Sequence, residues 1–218
     1  MPKRFNAERA GLHTIPLFLC LACTLLLAGV MEFPARAQEP DPTTAARLMD
    51  DLMWGRGHIG GPFELVDHTG KKRTDADFRG KLLLVYFGYT YCPDICPADL
   101  LQISLAIDQL GTAGDEVQPL FISVDPERDT TTVLAQYVSS FHPRLIGLTG
   151  TPEKIRRVAN SYKAYYAKYT PPDRGVYLID HTGFIYLMDR AGKYLGFFPP
   201  GTSANRIVEI IRPYLASD

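Results

Sequence analysis

The sequence predicts an α/β fold in which helices cover both faces of a mixed central sheet. Two observations lead there. Apolar runs of strand length alternate with stripes at helical spacing along residues 63–214. One run, Leu82–Phe87, is apolar without interruption, as a strand buried on both faces requires.

The elements follow in order. Residues 38–57 are polar and irregular, a linker or a short helix around Ala45–Met53. The folded domain is expected over 58–218, opening at Gly60-Gly61-Pro62. Phe63–Val66 reads as a short strand and Asp67-His68-Thr69-Gly70 as a turn, so an additional N-terminal hairpin is predicted. Leu82–Phe87 stops at Gly88, and Leu100, Ile103, Ile107 and Leu110 then mark a helix with Pro97 in its first turn. Leu120–Val124 is a strand, and Val133, Leu134, Tyr137, Val138 and Phe141 form the next helical stripe. Leu145–Leu148 is a strand, and Thr151-Pro152-Glu153 caps a helix that buries Ile155, Val158, Ala159 and Tyr162. Val176–Ile179 and Phe184–Met188 read as strands across a turn at His181-Thr182-Gly183. Tyr194–Phe198 adds a short strand, and Ile207, Ile210, Ile211 and Tyr214 mark a last helix, ended or bent by Pro213. The order β-α-β-α-β-α-β-β-α fits crossovers on both faces and a terminal hairpin.

The N-terminus reads as a targeting or anchoring segment. Lys3, Arg4 and Arg9 precede a run free of charge from Thr14 to Met31, and Ala35-Arg36-Ala37 follows. An A-x-A pattern predicts cleavage after Ala37. The run is also about as long as the 17–25 residues that span a bilayer, so a retained membrane anchor stands as the second reading. Acylation at Cys23 is a poorer third, because Leu-rich sequence continues after it. Each reading places the domain outside the cytoplasm, on the periplasmic side of an inner membrane.

Composition narrows the function. The 218 residues are 46% hydrophobic and 22% charged, with a net charge of -1. No basic excess points to nucleic acid; the tight basic run Lys71-Lys72-Arg73 reads as a solvated hairpin tip. Of four cysteines, Cys20 and Cys23 lie in the apolar segment, which leaves Cys92 and Cys96 for the domain.

Those two sit between a buried strand and a helix start, in Gly88-Tyr-Thr-Tyr-Cys92-Pro-Asp-Ile-Cys96-Pro97. Ligands of open α/β sheets bind beyond the carboxyl ends of the strands. A helix N-terminus favours the thiolate, the form that attacks disulfides and binds metal. A purely stabilising disulfide is a weak use of so short a loop, worth about 2 kcal/mol against about 4.7 for a hundred-residue loop. The three intervening residues, rather than two, leave room for both sulfurs to face one ion. Two thiolates suit Cu(I), and an added imidazole makes a three-coordinate site that Cu(II) can also use with an oxygen donor. A structural zinc site would need a fourth protein ligand. The imidazole is open among His58, His68, His142 and His181. His68 and His181 occupy identical Asp-His-Thr-Gly turns, and only the central look of the strand before His181 leans toward it.

Taken together, these pieces resemble the Sco/SenC family, copper-binding proteins needed for cytochrome c oxidase assembly. The matching segments are Gly60-Gly61-Pro62-Phe63, Phe87–Pro97, Ser123-Val124-Asp125-Pro126-Glu127-Arg128-Asp129-Thr130, Gly147-Leu148-Thr149-Gly150 and Leu178-Ile179-Asp180-His181-Thr182. The resemblance implies a thioredoxin-like fold with an inserted hairpin. It implies Cys92, Cys96 and His181, not His68, as copper ligands, and often an N-terminal membrane tether. It implies a chaperone role, taking copper from an upstream donor to the dinuclear copper centre of oxidase subunit II. The same cysteine pair on such a scaffold also suits a thiol–disulfide oxidoreductase that reduces the cysteines of that centre; a thiol peroxidase fits less well. Asp125 and Asp129 are read either as support for the site or as capping of the following helix. Asp180 is read either as orienting His181 or as pairing with a lysine.

Overall fold

The computed structural model describes residues 49–53, 58–172 and 175–216, all within one compact unit that spans 41–218. The apolar segment and the Ala35-Arg36-Ala37 signal lie outside the described residues. No helix among the described residues is long and apolar enough to cross a membrane.

The strands are β1 (Glu64–Asp67), β2 (Lys72–Thr74), β3 (Leu82–Gly88), β4 (Val117–Ser123), β5 (Ile146–Thr149), β6 (Tyr166–Tyr169), β7 (Leu178–His181), β8 (Ile185–Met188) and β9 (Tyr194–Phe198). The helices are α1 (Ile95–Leu110), α2 (Thr131–Val138), α3 (Pro152–Ser161) and α4 (Ala204–Ala216). Seven strands form one sheet in the order β2-β1-β5-β4-β3-β8-β9, and β6 and β7 form a separate two-stranded ladder. The sheet is mixed: β3, β4 and β5 run parallel, while β1, β8 and β9 add antiparallel pairs.

β3 is central because nothing in it needs water. All seven of its residues are buried, and the pleat sends Leu82, Leu84 and Tyr86 to one face and Leu83, Val85 and Phe87 to the other. The first face packs on Leu100, Ile103 and Ile107 of α1, Leu134 and Val138 of α2, and Ile207 and Ile211 of α4. The second packs on Ile155, Val158 and Ala159 of α3 and on Leu52, which belongs to the helical residues 49–53. Thr151 caps α3 by accepting the Lys154 backbone N–H at 3.3 Å, with Pro152 at its first position. β4 tolerates Pro119 because its pairing with β5 begins only at Leu120. β1 and β2 pair antiparallel, and β1 also joins β5, so the two strands form an edge of the main sheet.

One pairing differs from the sequence reading. Phe184–Met188 and Val176–Ile179 do not face each other across Thr182. β7 pairs with β6, in the register Tyr166↔His181, and β8 pairs with β3 and β9. β6 escaped the sequence reading because Tyr-Ala-Lys-Tyr is short and half exposed. The strand carrying His181 is therefore not central, contrary to the expectation that favoured that histidine.

Candidate metal centre

The site lies where the chain leaves β3. Gly88 ends the strand, and the Val124 N–H donates to its carbonyl at 2.8 Å. The Cys92 N–H closes a turn onto the Tyr89 carbonyl at 3.2 Å, and α1 begins at Ile95, which puts Cys96 in its first turn. Gly88 is required for contact rather than for backbone freedom. A Cβ there would stand 2.7 Å from Cys96 Sγ and 2.8 Å from the Phe121 ring.

The two thiols are free and unlike each other. Cys92 is half-buried and Cys96 fully buried. A hydrogen bond from the Cys96 thiol holds Cys92 well below the ordinary thiol range, against the opposing effect of burial. His181 and the backbone N–H groups of Asp94 and Cys96 add to that hold. Cys96 moves the other way, pushed up by burial and by the hydrogen bond that its retained S–H donates to Cys92.

His181, the last residue of β7, completes the group. Its Nε2 is 3.2 Å from Cys96 Sγ, and its Nδ1 is 3.3 Å from the Thr182 carbonyl oxygen. The tautomer that donates Nδ1–H to Thr182 turns the Nε2 lone pair toward the sulfurs. The edge-on rings of Tyr89 and Tyr86, with centroids 5.8 and 6.3 Å away, confine the imidazole. The ligand atoms of Cys92, Cys96 and His181 all lie within 4.8 Å of one another. This is the one metal-competent group of His, Cys, Asp and Glu among the described residues. Its two soft sulfurs and one imidazole are a donor set suited to copper.

The other histidines are placed elsewhere. His68 Nδ1 accepts the Gly147 N–H at 3.2 Å, which ties the β1–β2 turn to β5. His142 accepts the Arg144 N–H at 3.1 Å and faces Asp108 at 3.4 Å. His58 is exposed. Among the acids, Asp180 is exposed on β7 and does not orient His181; the Thr182 carbonyl meets the ring instead. Asp129 is fully buried and does not cap α2, since Thr130 does, accepting the Val133 N–H. It reaches back to the cysteine loop, accepting the Thr90 N–H at 3.1 Å and the Thr90 hydroxyl at 2.6 Å. Asp125 accepts the Tyr177 hydroxyl at 2.8 Å and the Arg128 Nε–H.

Two groups escaped the sequence reading. Asp99, one helical turn after Cys96, is fully buried and accepts the Tyr86 hydroxyl at 3.2 Å and the Gly201 N–H at 2.9 Å. Its spacing from Cys96 was a usable signal, because i and i+3 share a helix face. Tyr177 had none, since its partners are 49 and 52 residues away.

The family model for SCO1/SenC matches residues 53–216. The human mitochondrial protein SCO1 homolog is 42% identical over 166 residues, covering 73% of this chain and 55% of that protein. The chain thus spans about half the length of the curated relatives it matches, from 43% to 60% for the first three. Among solved structures, Arabidopsis thaliana ScoI with copper bound is 43% identical with a TM-score of 0.68, covering 72% of this chain and 98% of that one. Bradyrhizobium japonicum ScoI with copper bound is 45% identical with a TM-score of 0.66, covering 72% and 99%. The fold is accordingly the thioredoxin-like one of the Sco structures.

Proposed function

The chain belongs to the SCO1/SenC family, and from that premise we propose that it is a copper metallochaperone for cytochrome c oxidase assembly. Cys92, Cys96 and His181 hold the copper. The observation that carries this reading is the convergence of two thiols and one imidazole within 4.8 Å, with no further His, Cys, Asp or Glu ligand in the group among the described residues. Three protein ligands hold Cu(I) and leave the ion open to an incoming ligand of a partner. The partners on this reading are an upstream copper donor and an acceptor, the dinuclear centre of oxidase subunit II. Residues 1–37 act as a signal or membrane anchor that places the folded domain on the periplasmic side; of the expected linker 38–57, the helical residues 49–53 pack on the domain through Leu52.

Anaerobic copper titration of the reduced full-length chain tests the site. Wild type and His68→Ala should bind one copper per chain, and His181→Ala should lose most of its affinity. Equal binding by all three would remove His181 from the ligand set.

A second reading, a thiol–disulfide oxidoreductase acting on the acceptor's cysteines, has its own support. Cys92 is half-exposed and held toward the thiolate, and Cys96 keeps its proton, which is the asymmetry of an attacking and a resolving thiol. On this reading Cys92→Ser abolishes reduction of a disulfide-bonded acceptor while His181→Ala does not.

A further inference from the structure

His181 stands on a ladder that shares no strand pairing with the main sheet. Apart from the three-residue link from His181 to β8, its position relative to the thiols is set by side chains. Among the described residues, and besides the contact of His181 with Cys96 itself, four polar tethers join the ladder and the segment leading into it to the rest of the domain. Arg128 Nη1 donates to the Tyr177 carbonyl at 3.0 Å, and the Tyr177 hydroxyl donates to Asp125 at 2.8 Å. Lys168 pairs with Glu127 at 2.7 Å, and the Tyr89 hydroxyl meets the Ile179 backbone. Three of the four end on the single loop 125–128.

Arg128 is the hub of that loop. Its Nε donates to Asp125, and its guanidinium lies 3.7 Å from the Tyr177 ring centroid, 5.0 Å from that of Tyr91 and 5.7 Å from that of Tyr89. The Nη2 nitrogen is buried with no hydrogen-bond acceptor among the described residues; the aromatic faces are what offset its burial. Tyr91 immediately precedes Cys92, and Tyr177 leads into β7. The far end of the same loop, Asp129, holds Thr90. One five-residue stretch, Asp125–Asp129, thus grips the histidine hairpin at one end and the cysteine loop at the other.

We propose that Arg128 is the positioning residue of the metal site, setting the imidazole-to-thiol separation through Tyr177 and Tyr91. The proposal rests on the copper-site reading above. Arg128→Lys keeps the charge but loses the planar, forked donor and its stacking. Tyr177→Phe keeps the ring and loses only the bond to Asp125.

The full-length chain is examined in two states. In the copper(II)-loaded state, pulsed paramagnetic resonance reads the imidazole nitrogen coupling. In the metal-free state, hydrogen exchange reads β6 and β7 against β3 and β4. Arg128→Lys should weaken copper binding by about 10–100-fold, the usual effect of losing a group that orients a ligand. It should also lose the nitrogen coupling and speed exchange in β6 and β7 alone. Tyr177→Phe should move each readout the same way by less. Wild-type coupling and exchange in Arg128→Lys would overturn the proposal. So would exchange that rises equally in β3 and β4, because Arg128 would then serve only general stability. Failure of the copper-site reading shows separately, as absent coupling in the unaltered chain, and the metal-free exchange result still decides the role of Arg128.

Discussion

Cys92 and Cys96 are four residues apart and chemically opposite. The reason is where each sulfur sits. Cys92 is half-buried at the rim, where hydrogen bonding to Cys96 and to two backbone N–H groups of the α1 start favours its thiolate. Cys96 is fully enclosed. The native pKa of Cys92 lies below its ordinary value of 9.0. Its contribution to stability is therefore complete above that value and is lost as pH falls through the native pKa. Cys96 is raised, so its contribution has the opposite sign of pH dependence. In the reduced metal-free chain, iodoacetamide should label Cys92 readily at about pH 6, where an ordinary thiol is almost wholly protonated. Cys96 should be spared. Mass spectrometry of pH-stepped labelling checks this, and a Cys92 midpoint at or above about 8.5 would contradict it. The pair and its redox-or-metal character were legible in the sequence, because the spacing and the strand-to-helix setting are local. The difference between the two sulfurs was not, because it depends on which one faces the core.

At the scale of elements, the two Asp-His-Thr-Gly turns show how little a tetrapeptide decides. Asp67 is 1% exposed and accepts the Thr69 N–H, the Thr69 hydroxyl, the Lys71 N–H and the Arg73 Nε–H, at 2.8, 2.6, 3.0 and 2.8 Å. Asp180, in the same four-letter context, is exposed. The difference comes from Arg73, which β2 brings beside Asp67, and from the β1–β5 pairing that seals the turn. His68 is spent on Gly147 within that seal, whereas His181 is free to turn to the sulfurs. Burial alone would raise the Asp67 carboxyl, but the bonds from Thr69, Arg73 and Lys71 hold it at about 2. The stability it provides is complete above the ordinary 3.8 and is lost as pH falls through about 2. Asp67→Ala should cost about 2–3 kcal/mol or more, since one hydrogen bond to a charged group already contributes about 1.5–3 kcal/mol. Urea unfolding at neutral pH measures this, and an unchanged midpoint would show that the turn is held by its backbone alone.

Over the whole molecule, the site joins parts of unequal firmness. Cys96 is anchored in the deeply buried region where β3 meets α1, and the short loop that carries Cys92 is held between the same two elements. The histidine is on a two-stranded ladder, and such isolated pairs are marginal by themselves. An ion bound by all three residues therefore links a firm element to a soft one. Copper at about 100 times its Kd stabilises the native state by about 2.7 kcal/mol. The gain should be local as well as global: hydrogen exchange in β6 and β7 should slow on copper binding, with β3 and β4 limited by global unfolding throughout. The thermal shift and the slowing should both vanish in His181→Ala. A full shift in that variant would mean that the thiols alone carry the binding.

The sequence by itself determined the layered α/β fold and the strand-to-helix cysteine motif. It also held the chemistry of two soft donors awaiting an imidazole. Each of these is written in contiguous residues, as an unbroken apolar run, a helical stripe or a fixed spacing. Tertiary structure alone decided the rest: the pairing of β7 with β6 rather than β8, the assignment of His68 to the fold and His181 to the sulfurs, and the reach of Asp129 across to Thr90. These contacts join residues from 9 to 85 positions apart. Over such distances neither periodicity nor spacing operates, and only the packing of the whole chain selects the neighbour.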